Sequence, residues 1–324
     1  MRNNGPIAII GGYDQIAKSF FFKLKKINVN TIFINVNSNI NNLRNVYNFE
    51  IFHLNKILTT LEKHNIKKLL FLGKINRPNF ENLKNDGEIE KYIPLLLDSY
   101  KKGDGSILSN IIKIFSSKGF KIISPNKVSN VFFFDNHDVN KIEAKEDLID
   151  CNKSIRILND LSKYDNAQSV VIINGYIIAI EAAEGTDNLL KRTVYVRKNL
   201  DQLHKKAGLL IKIPKKGQSK LIDLPVIGLK TLRLVRKANL NGIAIDTMHT
   251  IVHNKDKILE YAKNNNLKIY NLLPYLYTIS FGTILVPMYL EDWFNLEIFS
   301  IVLSHENKKC LYVYNRFMLL LLNF

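Results

Sequence analysis

Ile7-Ala8-Ile9-Ile10-Gly11-Gly12 is a short apolar run that ends in two glycines, the pattern of a buried strand followed by a tight turn. A helical pattern follows from Gln15 to Lys26, with apolar residues on one face, and a β-branched, strand-like segment runs from Thr31 to Val36. Strands that alternate with helices in this way predict a parallel sheet covered by helices. The N-terminal part of the chain is therefore predicted to be an α/β domain.

The same alternation continues to residue 123. Helical patterns span 54–64 and 107–115, and strand patterns span 68–72 and 120–123. Ligands of such sheets bind at the carboxyl ends of the strands. Gly11-Gly12 and Gly73-Lys74 both fall at predicted strand ends, so we expect both motifs at the ligand-binding edge of a Rossmann-like parallel sheet.

A second domain begins after an irregular connection, which we place between Ser124 and Glu146. A helix is predicted from Leu148 to Leu161, and two β-branched runs joined by Asn174-Gly175 indicate a hairpin, because Asn-Gly accepts the positive φ of a tight turn. Further strands are expected at 209–213 and 243–245. The predicted fold class is α/β with two domains, a Rossmann-like domain over 1–135 and a mixed α/β domain over 136–270.

The remaining residues, 271–324, form an apolar tail without a clear period. Its first part, 271–290, is nearly long enough to span a bilayer. It contains Pro274 and Pro287, however, and Glu291-Asp292 follow at once. We therefore favour a packed or membrane-surface tail, or a segment unrelated to the rest of the fold, over a transmembrane helix.

The composition favours an anionic ligand and a reducing compartment. The chain of 324 residues carries a net charge of +17, which attracts nucleotides, nucleic acid or acidic lipid headgroups. Lysines are spread throughout, so much of this charge is expected to be solvated surface. No basic block alternates with aromatic residues, and we expect no nucleic-acid partner. Cys151 and Cys310 match neither a zinc site nor a disulfide framework, and residues 1–7 lack the apolar region of a signal peptide, which fits the cytoplasm.

Two short motifs in the first domain could bind phosphate. The Gly11-Gly12 turn can place helix N–H groups against a phosphate, although a plain tight turn explains it equally well. Lys74 and Arg77 could clamp a diphosphate, or they could be two solvated charges in a loop. Tyr13 stands where a dinucleotide fingerprint has a glycine, and Asn35 stands where it has an acidic ribose ligand, which disfavours a nicotinamide dehydrogenase.

The densest acidic motif is Glu181-Ala182-Ala183-Glu184-Gly185-Thr186-Asp187, which leaves a predicted strand and opens a helix over 188–192. Magnesium prefers hard oxygen ligands and usually takes one or two carboxylates together with water and phosphate oxygens. In the alternative interpretation Thr186 caps the helix and Asp187 compensates its dipole. That alternative leaves Glu181 unexplained.

A basic loop and a lone acid follow in the second domain. Lys212-Ile213-Pro214-Lys215-Lys216-Gly217-Gln218 comes after a predicted strand, and Asp223 precedes Leu224-Pro225. A basic loop beside an acid suits the binding of a phosphate that is activated by a metal or attacked by an activated water molecule. Alternatively, Asp223 caps the turn before Pro225.

These motifs together resemble the UDP-2,3-diacylglucosamine pyrophosphatase family of lipid A biosynthesis. The segments that carry the resemblance are 168–190, 210–218, 223–228 and 242–245 and, more weakly, 73–78 and 103–105. The resemblance spans roughly residues 7–269. Tyr13 replaces a glycine of the family's N-terminal turn.

The resemblance implies Mg²⁺-dependent hydrolysis of a UDP-linked diacylated sugar to UMP and 2,3-diacylglucosamine 1-phosphate (lipid X). It implies Asp223 and Lys212 as catalytic residues. The expected metal ligands are Glu181, Glu184, Asp187 and Asp223, and the expected substrate contacts are Gly11, Gly12, Lys74, Arg77, Asp104, Thr186, Lys215 and Gln218. We expect a cytoplasmic protein at the inner membrane surface and consider a homodimer possible. The alternative function is a non-catalytic nucleotide-sugar or anionic-lipid binding protein on the same fold.

Overall fold

The computed structural model describes residues 5–37, 43–51, 53–76, 90–102, 104–164, 166–199, 205–216, 221, 224–273 and 275, with backbone alone for those from 100 to 105. Arg77, Gln218 and Asp223 lie outside the described residues, as do Cys310 and nearly all of the tail that we assign to 271–324. Asp104 is described by its backbone only. Met1–Asn271 forms one compact unit and Leu272–Phe324 another. The domain boundaries at 135 and 270 stay predictions.

The N-terminal sheet is entirely parallel, as the alternation of strands and helices predicts. Its strands are β1 (Ile7–Gly11), β2 (Thr31–Asn35), β3 (Val46–Asn48), β4 (Lys68–Phe71) and β5 (Lys121–Ile122). They lie in the order β3-β2-β1-β4-β5. Strands are added on one side of β1 up to β3 and on the other side from β4 onward. Rossmann-like sheets form their ligand crevice at such a switch point, here between β1 and β4.

Helices cover both faces of this sheet. They are α1 (Gln15–Lys26), α2 (Leu54–Lys63), α3 (Ile93–Lys102) and α4 (Asp104–Ser117). Alternate residues of β1 enter different cores: Ile7 and Ile9 pack with α1, whereas Ala8 and Ile10 pack with α2 and α4. This alternation follows from the two-residue period of a strand, and it explains why β1 is apolar throughout.

The connection between the sheets is largely irregular, as predicted. It contains α5 (Pro125–Val128) and two single-turn 3₁₀ helices. Phe132 and Phe133 belong to the core beside α1, whereas Phe134 belongs to the core of the second sheet. Three consecutive aromatic residues thus anchor the connection to both sheets.

The C-terminal sheet is mixed. Its strands are β6 (Ser169–Ile173), β7 (Tyr176–Ile180), β8 (Leu209–Lys212), β10 (Gly242–Ile245) and β12 (Lys268–Asn271), and a separate parallel pair consists of β9 (Val226–Ile227) and β11 (Ile251–Val252). The order is β12-β10-β8-β6-β7, with β6 antiparallel to both of its neighbours. The predicted hairpin is therefore confirmed, and Asn174 and Gly175 both adopt positive φ, at 48° and 81°.

The α-helices that the structure describes in this part are α6 (Lys145–Leu161), α7 (Thr186–Lys198), α8 (Leu229–Lys237) and α9 (Lys255–Asn264). Residues of α7, α8 and α9 share one core with the inner residues of the sheet, and α6 contacts β6 and β8. The helix predicted over 188–192 is longer at both ends. It begins directly after Gly185 and extends to Lys198. The predicted fold class is confirmed. Among the helices that the structure describes, none is both long and apolar enough to cross a membrane.

Candidate active site

The two glycine motifs of the N-terminal sheet meet at its carboxyl edge, as expected. A methyl group on Gly11 would collide with the Leu72 carbonyl oxygen, and one on Gly12 would collide with the Lys74 carbonyl oxygen. Gly73 adopts φ +94°, and its backbone lies against the Gly12 carbonyl. These glycines allow two strand ends to approach closely, so packing alone explains why glycine is needed in this turn. The contact of Gly11 and Gly12 with a substrate phosphate stays a prediction.

The N-terminus of α1 is capped by the carboxylate of Asp14. Asp14 Oδ1 accepts from the backbone N–H groups of Ile16 and Ala17, at 3.0 and 2.9 Å. Asp14 Oδ2 accepts from the N–H of Lys74 at 2.9 Å. The Lys74 side chain is exposed at this edge. Asp14 was not predicted from the sequence, although an aspartate directly before an apolar-periodic segment is a helix-cap signal.

A connected polar cluster lies in the C-terminal sheet, where three adjacent strands place three residues in a row. Lys212 at the end of β8 is paired with Ser169 at the start of β6, and the N–H of Glu181, just after β7, donates to the Ser169 carbonyl at 2.9 Å. The antiparallel hairpin thus returns the chain to the same edge at which β8 ends. Lys212 and Glu181, predicted from separate motifs, are brought together.

Thr186 connects the two charged groups. Lys212 Nζ donates to Thr186 Oγ1 at 2.7 Å and to Ser169 Oγ at 3.2 Å. Thr186 Oγ1 donates to Glu181 Oε1 at 3.1 Å. The N-cap of α7 is Gly185, without a side-chain cap, so the alternative in which Thr186 caps the helix is wrong. The threonine hydroxyl instead orients the lysine and the carboxylate.

The Lys212–Glu181 pair is shielded from water. The side chain of Lys212 is 4% exposed and that of Glu181 12%, and Lys212 Nζ lies 3.7 Å from Glu181 Oε2. Burying an ammonium is costly unless hydrogen bonds and an opposite charge compensate, and all of these are present here. Glu181 Oε2 is buried and has no hydrogen-bond partner among the described residues.

The other two acids of the motif are held by different cations. Glu184 Oε1 accepts from Arg192 Nη2 at 2.6 Å, and Asp187 Oδ2 lies 2.8 Å from Lys230 Nζ on α8. The N–H of Glu184 itself and the Arg192 guanidinium hold the pKa of the Glu184 carboxyl below its ordinary value. Asp187 lies in the first turn of α7, where an acid also complements the helix dipole.

The three acids of the motif do not converge on one point in the part of the chain that the structure describes. A group of three possible ligands within 4.8 Å of one another is formed by Asp135, His137 and Asp138 instead. Lys255 already donates to both carboxylates of that group, at 3.1 and 2.9 Å. Of the predicted Mg²⁺ ligands that the structure describes, Glu181 fits best, because its buried Oε2 has no hydrogen-bond partner among the described residues. The metal assignment of Glu181, Glu184, Asp187 and Asp223 stays a prediction.

A further buried charge at the same edge was missed by the sequence analysis. Asp246 follows β10, which pairs with β8 so that Ile245 lies beside Lys212. Its Oδ1 accepts from the N–H groups of Met248 and His249, both at 3.1 Å, and its Oδ2 lies 2.8 Å from His249 Nδ1. Asp246 is 1% exposed. The position of Asp246 directly after the predicted strand 243–245 is the sequence signal that could have identified it. Only the strand was predicted.

Fold and site together define a two-domain α/β protein with a buried lysine–carboxylate site at the carboxyl edge of its mixed sheet. Two family models match the chain: the LpxI N-terminal domain over residues 6–131 and the LpxI C-terminal domain over residues 137–270. The chain therefore belongs to the LpxI family, and the resemblance seen in the sequence motifs is confirmed.

Two known proteins are similar to the chain to different degrees. The UDP-2,3-diacylglucosamine pyrophosphatase LpxI of Caulobacter vibrioides is 27% identical over 221 residues, which are 68% of this chain and 79% of that protein. The crystal structure of a short-chain dehydrogenase with bound NAD⁺ from Leptospira borgpetersenii aligns over 71% of this chain and 76% of that one, with 13% identity and a TM-score of 0.22. A likeness of that size supports no functional argument.

Proposed function

We propose that the chain hydrolyses the pyrophosphate bond of UDP-2,3-diacylglucosamine and releases UMP and 2,3-diacylglucosamine 1-phosphate (lipid X). Membership of the LpxI family confirms the predicted enzyme class, a hydrolase of a pyrophosphate bond. The specific substrate is supported by the name of the Caulobacter relative. The observation that carries the proposal is the buried Lys212 ammonium beside Glu181 and Thr186 at the carboxyl edge of the sheet.

Lys212 supplies the positive charge that phosphoryl transfer requires. An ammonium fixed in a water-poor site stabilises the negative charge that develops on phosphate oxygens, and it needs little reorganisation during the reaction. Thr186 and Ser169 restrict the position of this ammonium. Lys74 contributes a second positive charge from the N-terminal domain, and Arg77, Lys215 and Gln218 are proposed as further substrate contacts.

In the proposed reaction a water molecule attacks the phosphorus on the sugar side. A new P–O bond forms to the water oxygen, the bond from that phosphorus to the bridging oxygen breaks, and the bridging oxygen leaves with UMP. Asp223 accepts the proton of the attacking water. Lys212 stabilises the charge on the phosphoryl oxygens during this displacement.

Magnesium is proposed as the cofactor. Glu181 and Asp223 would hold the ion, because carboxylate oxygens are its preferred protein ligands and one or two of them suffice. The buried Glu181 Oε2, without a hydrogen-bond partner among the described residues, supports this role. When bound, Mg²⁺ neutralises the diphosphate and polarises its phosphoryl oxygens.

The substrate determines where the enzyme would work. A sugar with two acyl chains stays in a membrane, so we propose a cytoplasmic protein at the surface of the inner membrane. Its positive net charge of +17 favours contact with an anionic lipid surface. A homodimer is compatible with this arrangement.

The test is release of UMP from UDP-2,3-diacylglucosamine by the purified full chain. Wild type should release UMP with Mg²⁺ and lose this activity in EDTA. Asp223→Ala should abolish turnover, whereas Asp160→Asn, at an exposed carboxylate paired only with Lys163 in the described structure, should not. In H₂¹⁸O the label should enter lipid X and not UMP. Undiminished turnover by Asp223→Ala would contradict the assignment of Asp223 as a catalytic residue.

The alternative is a nucleotide-sugar or anionic-lipid binding protein without catalysis. One observation favours it: Glu184 and Asp187 are held by Arg192 and Lys230. Wild type that binds the UDP-linked lipid but releases no UMP at any Mg²⁺ concentration would support this function instead.

A further inference from the structure

We infer that Asp14 and Asn37 are positioning residues that hold the loop after β4, and thereby Lys74, in place for substrate binding. This inference rests on the proposed function, in which Lys74 neutralises the diphosphate. Neither residue belongs to the motifs that indicate the family. Both act on the backbone of Lys74 and its neighbours, not on the substrate.

Asp14 joins the loop to α1 through a single carboxylate. One oxygen, Oδ1, accepts from the first-turn N–H groups of Ile16 and Ala17. The other oxygen, Oδ2, accepts from the Lys74 N–H at 2.9 Å. Hydrogen bonds to an ionised acceptor are shorter and stronger than neutral ones. The position of the Lys74 backbone is thus fixed relative to the rigid start of a helix.

Asn37 holds the same loop from the other side. Its Nδ2 donates to the Lys74 carbonyl at 2.7 Å, and its Oδ1 accepts from the Asn76 N–H at 3.0 Å. The side-chain amide thus pairs with the loop as a neighbouring peptide group would. Three backbone groups between Lys74 and Asn76 are bonded to two side chains.

Close packing reinforces the two hydrogen-bonding residues. A side chain on Gly12 would collide with the Lys74 carbonyl oxygen and with the Asn37 amide, and one on Gly73 would collide with the Gly12 carbonyl oxygen. The loop therefore lies directly on the end of β1. Asp14 and Asn37 determine how the loop sits on that surface.

The Asp14 carboxylate also changes what the N-terminus of α1 can bind. In dinucleotide-binding turns the N–H groups of this first helix receive a phosphate. Here two of them donate to Asp14, whose negative charge repels a phosphate at the same place. The anion-binding role of this edge therefore passes to Lys74, which the same carboxylate positions.

The test compares Asp14→Ser with Asn37→Ala in the full chain. Serine still caps α1 but is too short to reach Lys74 as well, so the helix start is preserved while the loop contact is lost. Binding of detergent-solubilised substrate is measured by isothermal titration calorimetry in EDTA. Both variants should raise Kd about 10-fold. Amide hydrogen exchange at Lys74 and Asn76 should become faster in both, and Asp160→Asn should change neither measurement.

A double-variant comparison distinguishes positioning from general damage. If both residues act through Lys74, Asp14→Ser should raise Kd in the wild-type background but not in a Lys74→Ala background. An equal rise in both backgrounds would overturn the inference, as would a Kd for Asp14→Ser equal to that of wild type. Wild type that binds substrate without releasing UMP would contradict the proposed function and leave this test intact. Wild type that neither binds substrate in EDTA nor releases UMP with Mg²⁺ would refute both.

Discussion

Lys212 Nζ lies 3.7 Å from Glu181 Oε2 in a buried pair, and Thr186 Oγ1 forms hydrogen bonds with both residues. The pair joins the ends of β8 and β7, two strands that are separated in the sheet by β6. A buried ion pair adds little to stability by itself, because the loss of hydration offsets much of the attraction. We therefore expect the pair to serve the chemistry of the site.

Replacing Lys212 should separate activity from stability. Lys212→Met keeps an apolar stem but removes the ammonium, so kcat for UMP release should fall about 10²–10³-fold. Unfolding in urea should also show a loss of about 3 kcal/mol, because the Glu181 carboxylate is left buried without its partner. Adding Glu181→Gln should restore part of this stability but none of the activity.

The control for this change is Lys230→Met. That ammonium pairs with Asp187 at 2.8 Å but is 69% exposed, so its removal should cost less than about 1 kcal/mol. A Lys212→Met variant that keeps kcat within about threefold of wild type would contradict a charge-stabilising role for Lys212.

Thr186 should matter through its hydroxyl. Thr186→Val removes the acceptor for Lys212 and the donor to Glu181 at similar side-chain size, and kcat should fall about 10-fold. Thr186→Ser should keep most of the activity. Thr193, on the same helix, is buried and donates only to the Leu189 carbonyl in the described structure, so Thr193→Val is a matched control. It should lose about 1 kcal/mol of stability with kcat unchanged. Equal effects of the two valine substitutions on kcat would contradict this role.

The sequence was sufficient for the elements that carry strong local signals. The apolar run of β1, the helix over Gln15–Lys26 and the Asn174-Gly175 hairpin were predicted within a residue or two, because buried strands, amphipathic helices and Asn-Gly turns each have a distinctive pattern. The hairpin also places Glu181 at the edge where Lys212 ends its strand. The two motifs of the site could therefore be assigned to one sheet, though not to one contact.

The contacts that define the site could not be predicted, because they join residues from distant parts of the chain. Periodicity shows which face of an element is buried, but it does not show that Lys230 of α8 pairs with Asp187 of α7. The sequence also offered a capping role for Thr186, and the structure gives that position to Gly185 at φ +76°. The pairing of His249 with Asp246 was not predicted, because it depends on the turn after β10.

Asp246 should be essential for the local fold. Asp246→Ala removes the acceptor of two backbone N–H groups and of the His249 ring, and it should lower the free energy of unfolding by about 2–4 kcal/mol. Asp246→Asn keeps one oxygen acceptor and should lose less. Urea denaturation measures both, with Asp160→Asn as the control at an exposed site. A loss below about 0.5 kcal/mol for Asp246→Ala, the range of ordinary surface substitutions, would contradict the structural role of this turn.

His253 should make the stability of the chain depend on pH. Its Nε2 lies 3.1 Å from Ser19 Oγ on α1, and Ser19 Oγ donates to the Gln15 carbonyl, so neutral His253 fits as the donor to Ser19. Burial lowers the pKa of His253, and the nearby Asp14 carboxylate only partly opposes this shift.

The sign of the effect follows from the direction of that shift. Above about pH 7 the ring is neutral in both states and contributes no pH dependence. As the pH falls below the ordinary histidine pKa of about 6.5, the unfolded chain takes up a proton that the folded chain does not, so the free energy of unfolding decreases. The decrease ends once the pH passes below the lowered pKa of the folded state. Urea denaturation of wild type and His253→Gln between pH 5 and pH 8 should show a shallower slope for the variant. Identical slopes for wild type and His253→Gln would show that folding leaves the proton affinity of His253 unchanged.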